Sequence, residues 1–497
     1  MMETLLRQDI MEIPLEVEEL NVMDYGADNS GRQDLTELLT LLHASGRRVY
    51  YPNGVYRFNG ETLDLSGGVR FESPDGVTVR NDISEMNILR FDADGHLIGL
   101  MHNHLEYDES YGFQKNGSLV PPPVLTKKPQ TRVDFMVYWY NDFGLQAQIH
   151  KPWGWKGWHY WTWNHHNCEE RIPDSQPYDP ARHPLLGFYY GDDPVVLDWQ
   201  SYWLCKYGVS AAILLAGTLE EWESEQGYDH WLYELFHHTP NFRNLRYVVT
   251  GTSRYLMEDD AETVGREIQK QWQALVDKIY TCFDNYYVVE QDGKRYPVMS
   301  IWEENGLPTV FDPQGGCANT EKAYRELAAA FRQAGFDGVA ILCRNPIPAF
   351  NEPEKTEALR QEGLIRIPCT YVANYVSDRY LSGEMTYPEV VDSFAPDAAD
   401  PTIIGVATSI NSHTPHPSKW VCPGNTPADF GRWVSAAVEF LERHPERLQL
   451  ITCYNLSEWA EGGSGLQPNV QDGFGYLEAV AEAVCKTDHT ADGKTGG

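Results

Sequence analysis

The chain has 497 residues, with 39 Lys+Arg against 72 Asp+Glu, so its formal charge is −33 with 16 His neutral. About 100–200 residues per domain allows several domains or one large barrel with additions; 42% hydrophobic and 22% charged residues describe a globular chain. The charge argues against nucleic acid, which needs a cationic face, and against anionic membrane surfaces and strongly acidic polymers; no apolar run approaches the roughly 20 residues of a membrane span.

The N-terminus, MMETLLRQDIMEIPLEVEEL, has no cationic start followed by an apolar block, so no secretory leader is expected. The nine cysteines are scattered, with no CxxC, which predicts reduced thiols and a cytoplasmic location. After Asp24-Tyr25-Gly26-Ala27-Asp28, apolar periodicity (Leu35, Leu38, Leu39, Leu42) predicts a helix over 34–44. Residues 48–58 read as strand, turn, strand, and short strands follow at 69–72, 77–80 and 88–92. This stretch, about residues 20–80, resembles the opening of pectate-lyase-type β-helix proteins. Too few strands follow to stack a solenoid, so a small β-rich accessory domain over 1–125 is expected. The run Pro121-Pro122-Pro123 is a stiff connector that sets a boundary near 125.

From Arg132 onward, short β-branched or apolar runs alternate with helical stretches. Strands are predicted at 133–139, 210–215, 246–250, 298–302, 338–342, 366–371, 403–408 and 448–453. Helices are predicted at 193–207, 222–239, 260–279, 320–335, 352–362 and 427–444. Eight strand–helix units over 126–486 are the count of a (β/α)8 TIM-type barrel, in the α/β class. A doubly wound open sheet is the alternative, but no Gly-rich phosphate loop follows the first strand. Residues 487–497 read as a frayed tail.

Barrel chemistry sits at the C-terminal ends of strands. The eighth strand runs into Tyr454-Asn455-Leu456-Ser457-Glu458-Trp459-Ala460-Glu461-Gly462. If the chain there is helical, Glu458 and Glu461 lie side by side with Cβ atoms roughly 5–6 Å apart. Retaining glycosidases keep two carboxyl groups about 5–5.5 Å apart. Like charges that close drive their pKa values apart, so one holds a proton while the other stays ionised. Trp459 between them supplies apolar surroundings.

Three further groups join this face. Trp153–His166 is dense in Trp, His and Asn; Trp155, Trp158, His159, Trp163 and His165 suit sugars, whose CH faces stack on rings while their hydroxyls need fixed partners. A buried plug of the mouth is the competing role for that loop. Its His spacing matches no metal-ligand pattern, so neither metal nor cofactor is expected. Trp302-Glu303-Glu304-Asn305 ends the fourth strand, where an acidic pair binds hydroxyls, acts as acid and base, or sits at a helix start for dipole reasons. Asn411, Tyr138 and Tyr140 complete the candidates.

Tyr454–Gly462, with Leu466-Gln467-Pro468 and Asp472–Glu478, resembles the C-terminal signature of glycoside hydrolase family 99-like proteins, "NEWxEG…lEP…yG.aYLEA". Val137-Tyr138-Trp139-Tyr140, His183–Tyr190 with Asp193-Pro194, and Pro423–Trp433 are similar to further segments of that family, so the resemblance spans about 133–484. It implies a (β/α)8 enzyme that cleaves α-mannosides with retention. Glu458 would then assist the sugar 2-hydroxyl in attacking the anomeric carbon, and Glu461 would be acid, then base. Ala460 stands where the family's hydrolases carry His, a form closer to relatives from polysaccharide-assembly clusters often labelled glycosyltransferases. The expected function is therefore glycoside hydrolysis of an oligosaccharide or glycoconjugate. The alternatives are a glycosyl-transferring enzyme, a non-catalytic glycan-binding barrel, and a lyase centred on the first hundred residues.

Overall fold

The computed structural model describes residues 19–44, 48–50, 52, 54–58, 61–64, 89–91, 97–100, 114–115, 118–119, 121–141, 184–186, 191, 193–215, 230–251, 261–409, 422, 424–457, 465–469 and 471–486. The predicted aromatic loop 153–166 and tail 487–497 lie outside them.

Among the described residues eight parallel strands alternate with eight helices, with one short further helix, Leu307–Phe311, following the fourth strand. The strands are β1 (Asp134–Trp139), β2 (Ala211–Leu214), β3 (Arg246–Gly251), β4 (Lys294–Ile301), β5 (Val339–Arg344), β6 (Leu364–Cys369), β7 (Ile404–Ala407) and β8 (Leu450–Tyr454). The helix after each, in the same order, is α1 (Pro194–Lys206), α2 (His230–His238), α3 (Ala261–Leu275), α4 (Ala318–Gln333), α5 (Pro353–Gln361), α6 (Tyr387–Asp392), α7 (Pro427–Arg443) and α8 (Gly475–Val484). Ladders join β6-β5-β4-β3-β2-β1-β8-β7 in that order, which is a (β/α)8 TIM-type fold. Among the described residues no helix is long and apolar enough to cross a membrane.

The sequence cues act locally. Asp193 caps α1, its Oδ1 accepting from Val195 N at 2.7 Å, and Pro194 supplies the first helical residue. Thr426-Pro427 does the same for α7, with Thr426 Oγ1 accepting from Asp429 N at 3.1 Å. The strands separate two layers by their period of two. Phe135, Val137 and Trp139 of β1 face the helices, whereas Met136 and Tyr138 join the barrel interior. Ala211 and Ile213, Ala340 and Leu342, and Ile365, Ile367 and Cys369 fill the same interior.

Two features of the sheet were not anticipated. β4 begins at Lys294, earlier than expected, because it pairs antiparallel with Val288–Gln291 across the turn Asp292-Gly293. Both turn residues have positive φ, 52° and 73°, as a two-residue hairpin loop requires. Tyr287, Val289 and Tyr296 from this hairpin pack into the interior cluster at the N-terminal end of the barrel. The second feature is the seam between β6 and β7, which share no ladder. There Ile403 N donates to Pro368 O at 2.9 Å. Asn374 completes the join, donating from Nδ2 to Ile403 O at 2.7 Å and accepting at Oδ1 from Gly405 N at 2.8 Å.

Before the barrel, Glu19–Asn21 pairs in parallel with Arg48–Tyr50, and Ser30–Asp34 with Val55–Phe58, which returns antiparallel to Glu61–Asp64. The helix Thr36–Ala44 lies where periodicity predicted one. Two short antiparallel pairs follow, Leu89–Phe91 with Leu97–Leu100 and Gln114–Lys115 with Ser118–Leu119.

Candidate functional site

The alternation that fills the barrel also decides which side chains reach its C-terminal mouth. Continuing the inward parity brings Tyr138 from β1, Thr250 from β3, Trp302 after β4, Arg344 at the end of β5, Tyr371 after β6 and Tyr454 at the end of β8 to one level. Four of these are aromatic and touch edge to face. Tyr371 is the hub: its ring centroid lies 4.9 Å from Tyr138, 4.3 Å from Trp302 and 4.7 Å from Tyr454, with interplanar angles of 80°, 71° and 75°. Such contacts are worth about 0.5–1.5 kcal/mol each beyond area burial, so they hold the rings in fixed orientations.

The Tyr138 hydroxyl donates to Thr370 O at 3.1 Å and lies 3.7 Å from Cys369 Sγ. Burial raises the Tyr138 phenol well above its ordinary value and pushes the Cys369 thiol to about 12, so both are neutral near pH 7. The Arg344 guanidinium lies over the Trp302 ring, 4.0 Å from its centroid, and 5.2 Å from that of Tyr371.

The chain after β8 is anchored on β1. Leu456 N donates to Tyr138 O at 2.9 Å, and Ser457 Oγ to Tyr140 O at 2.7 Å. The returning chain is tied down again, with Leu466 N donating to Asn455 O at 2.9 Å and Gln467 N to Leu456 O at 3.0 Å. Gly465 has φ +59°, and a Cβ there would stand 2.3 Å from Asn455 O and Oδ1, so only glycine fits. The peptide Tyr454–Asn455 is cis. Beneath this return lies a buried amide chain, in which Gln200 Nε2 donates to Gln467 Oε1 at 2.8 Å and to Asn141 Oδ1 at 3.3 Å.

Of the residues expected from sequence, Tyr138, Trp302 and Tyr454 come together in the ring cluster. Tyr140 and Asn455 flank it through the backbone contacts above. Glu303 follows Trp302 and is partly exposed. Its neighbour Glu304 is fully buried, and both its oxygens accept from Arg366 (Nε at 2.6 Å, Nη2 at 2.5 Å), with Tyr324 OH and Ile347 N each adding a bond at 2.8 Å. Glu304 thus serves packing between the sheet and α4. Glu458, Trp459, Glu461, Trp155, Trp158, His159, Trp163, His165 and Asn411 lie outside the described residues. Arg344 and Tyr371 were not among the expected residues. The signal was present, since both continue an inward period of two by one step past Leu342 and Cys369.

No family model matches the chain, and no curated protein does. Similar solved structures include a family 99 endo-alpha-mannosidase from Bacteroides thetaiotaomicron, 12% identical, covering 70% of this chain and 95% of that one with a TM-score of 0.42. Another is a glycoside hydrolase family 5 enzyme from Prevotella bryantii, 13% identical, covering 72% and 99%, TM-score 0.35. A third is a broad-specificity endoglucanase from Clostridium acetobutylicum, 9% identical, covering 70% and 96%, TM-score 0.35.

Proposed function

We propose that this chain is a retaining glycoside hydrolase acting on an α-linked, mannoside-like glycan at the C-terminal mouth of its barrel. The observation that carries the reading is the aromatic cluster Tyr138, Trp302, Tyr371 and Tyr454, gathered from four strands beside the point where the chain leaves Ser457 toward Glu458 and Glu461. Fixed rings at a barrel mouth suit the apolar faces of pyranoses, and the glutamate spacing suits two carboxyl groups with divided roles.

In this reading Glu458 takes the proton of the sugar 2-hydroxyl as that oxygen attacks the anomeric carbon, and Glu461 protonates the departing glycosidic oxygen. Water then opens the anhydro-sugar, with Glu461 taking its proton and the 2-oxygen regaining one from Glu458. Two displacements at one carbon leave its configuration unchanged. The block before residue 126 is an accessory module in this proposal.

Ala460 in the place of a histidine favours a second reading, a glycosyl transferase of polysaccharide assembly, which would act only on a nucleotide- or lipid-linked donor. Screening aryl α-glycosides and α-linked polysaccharides, with proton NMR of the first-formed sugar, tests the proposal. The α anomer should appear first; the β anomer contradicts retention, and glycan binding without turnover contradicts hydrolysis.

A further inference from the structure

Arg344 is the only charged side chain that the inward parity brings to the mouth among the described residues. Its guanidinium lies over Trp302 and near Tyr371. Nη1 is shielded from solvent and has no hydrogen-bond partner among the described residues. Nor does any described carboxylate lie within ion-pair distance of Arg344, in a chain with 72 acidic residues. Arg366, one strand over and facing outward, shows how this fold ordinarily settles a buried guanidinium: its Nε and Nη2 bond to Glu304, and its Nη1 to Phe350 O at 2.7 Å. A shielded donor left without an acceptor costs free energy. A guanidinium braced by rings presents a planar fork that matches a carboxylate.

We infer that Arg344 is a specificity residue that receives the carboxylate of an acidic sugar, so the substrate is a glycan carrying a uronic acid beside an otherwise neutral chain. This rests on the glycan-site reading above and names its substrate class. The net charge of −33 does not forbid it. At physiological ionic strength charges are screened beyond about 8 Å, so one carboxylate in contact with Arg344 responds to the local cation, whereas a densely charged polymer would still be repelled.

The test is titration calorimetry of the full chain with methyl α-D-mannosiduronate and methyl α-D-mannoside, with 4-nitrophenyl α-D-mannoside turnover measured in parallel. The uronate should bind at least about tenfold more tightly than the neutral glycoside. Arg344→Gln should bring that ratio to about one, and Arg344→Lys, which keeps charge but loses the fork, should hold an intermediate ratio. Thermal unfolding within a few degrees of the parent shows that each variant is folded. Equal binding of the two glycosides by the parent overturns the inference, as does a preference that survives Arg344→Gln or an Arg344→Lys ratio no higher than that of Arg344→Gln. Preference without turnover sinks hydrolysis and leaves the acidic subsite standing; turnover without preference does the reverse.

Discussion

At the scale of single residues, two arginines show how position decides role. Arg366 and Glu304 have side-chain exposures of 4% and 0% and form an ion pair whose remaining bonds go to Tyr324, Ile347, Phe350 and Asn351. Burial favours the neutral form of Arg366, but the hydrogen bonds and charge of Glu304 outweigh it and raise its pKa. Removing one partner of such a pair strands the other charge, so Arg366→Met should lower unfolding free energy by about 3–5 kcal/mol. The further change Glu304→Gln should restore part of that loss. Urea denaturation measures both, and a loss under about 1 kcal/mol for Arg366→Met would contradict the pairing. The sequence showed two adjacent acids at the end of β4. It did not show that one belongs to packing, because the residue that claims Glu304 lies 62 positions away.

At the scale of elements, all eight barrel strands were legible, since short apolar runs separated by amphipathic helices have few other arrangements. Three elements were not anticipated. α6 has only six residues, although its capping box, Thr386 with Glu389, is written in the sequence. The run forming α8 overlaps the motif Asp472–Glu478. The hairpin before β4 is marked in the sequence only by its Asp-Gly turn. The β6–β7 seam had no local signal, because Asn374 acts there as a spare peptide group for two backbone partners, Ile403 just before β7 and Gly405 within it. Asn374→Ala leaves Ile403 O and Gly405 N without those bonds, and partly buried groups so stranded cost about 1–3 kcal/mol. We expect a fall of about 2 kcal/mol in urea denaturation. An unchanged midpoint would mean that the seam is held by its backbone bonds, Ile403 N to Pro368 O and Asn374 N to Gly405 O, and by packing.

At the scale of the whole molecule, the barrel turns a period of two into a functional address. The same alternation that buries Met136 and Leu342 delivers Tyr138 and Arg344 to the mouth, where the chain is anchored at Leu456 and Ser457 and again at Leu466 and Gln467. The central claim is that Glu461 gives its proton to the leaving sugar. The most direct test compares kcat/KM of Glu461→Gln with the parent on two substrates, an aryl α-glycoside with an acidic phenol leaving group and a natural α-linked oligosaccharide. General acid help is worth about 10²–10⁴-fold where the leaving group is poor and little where it is good. The account predicts a loss in that range on the oligosaccharide and less than about tenfold on the aryl glycoside; equal losses on both would contradict it.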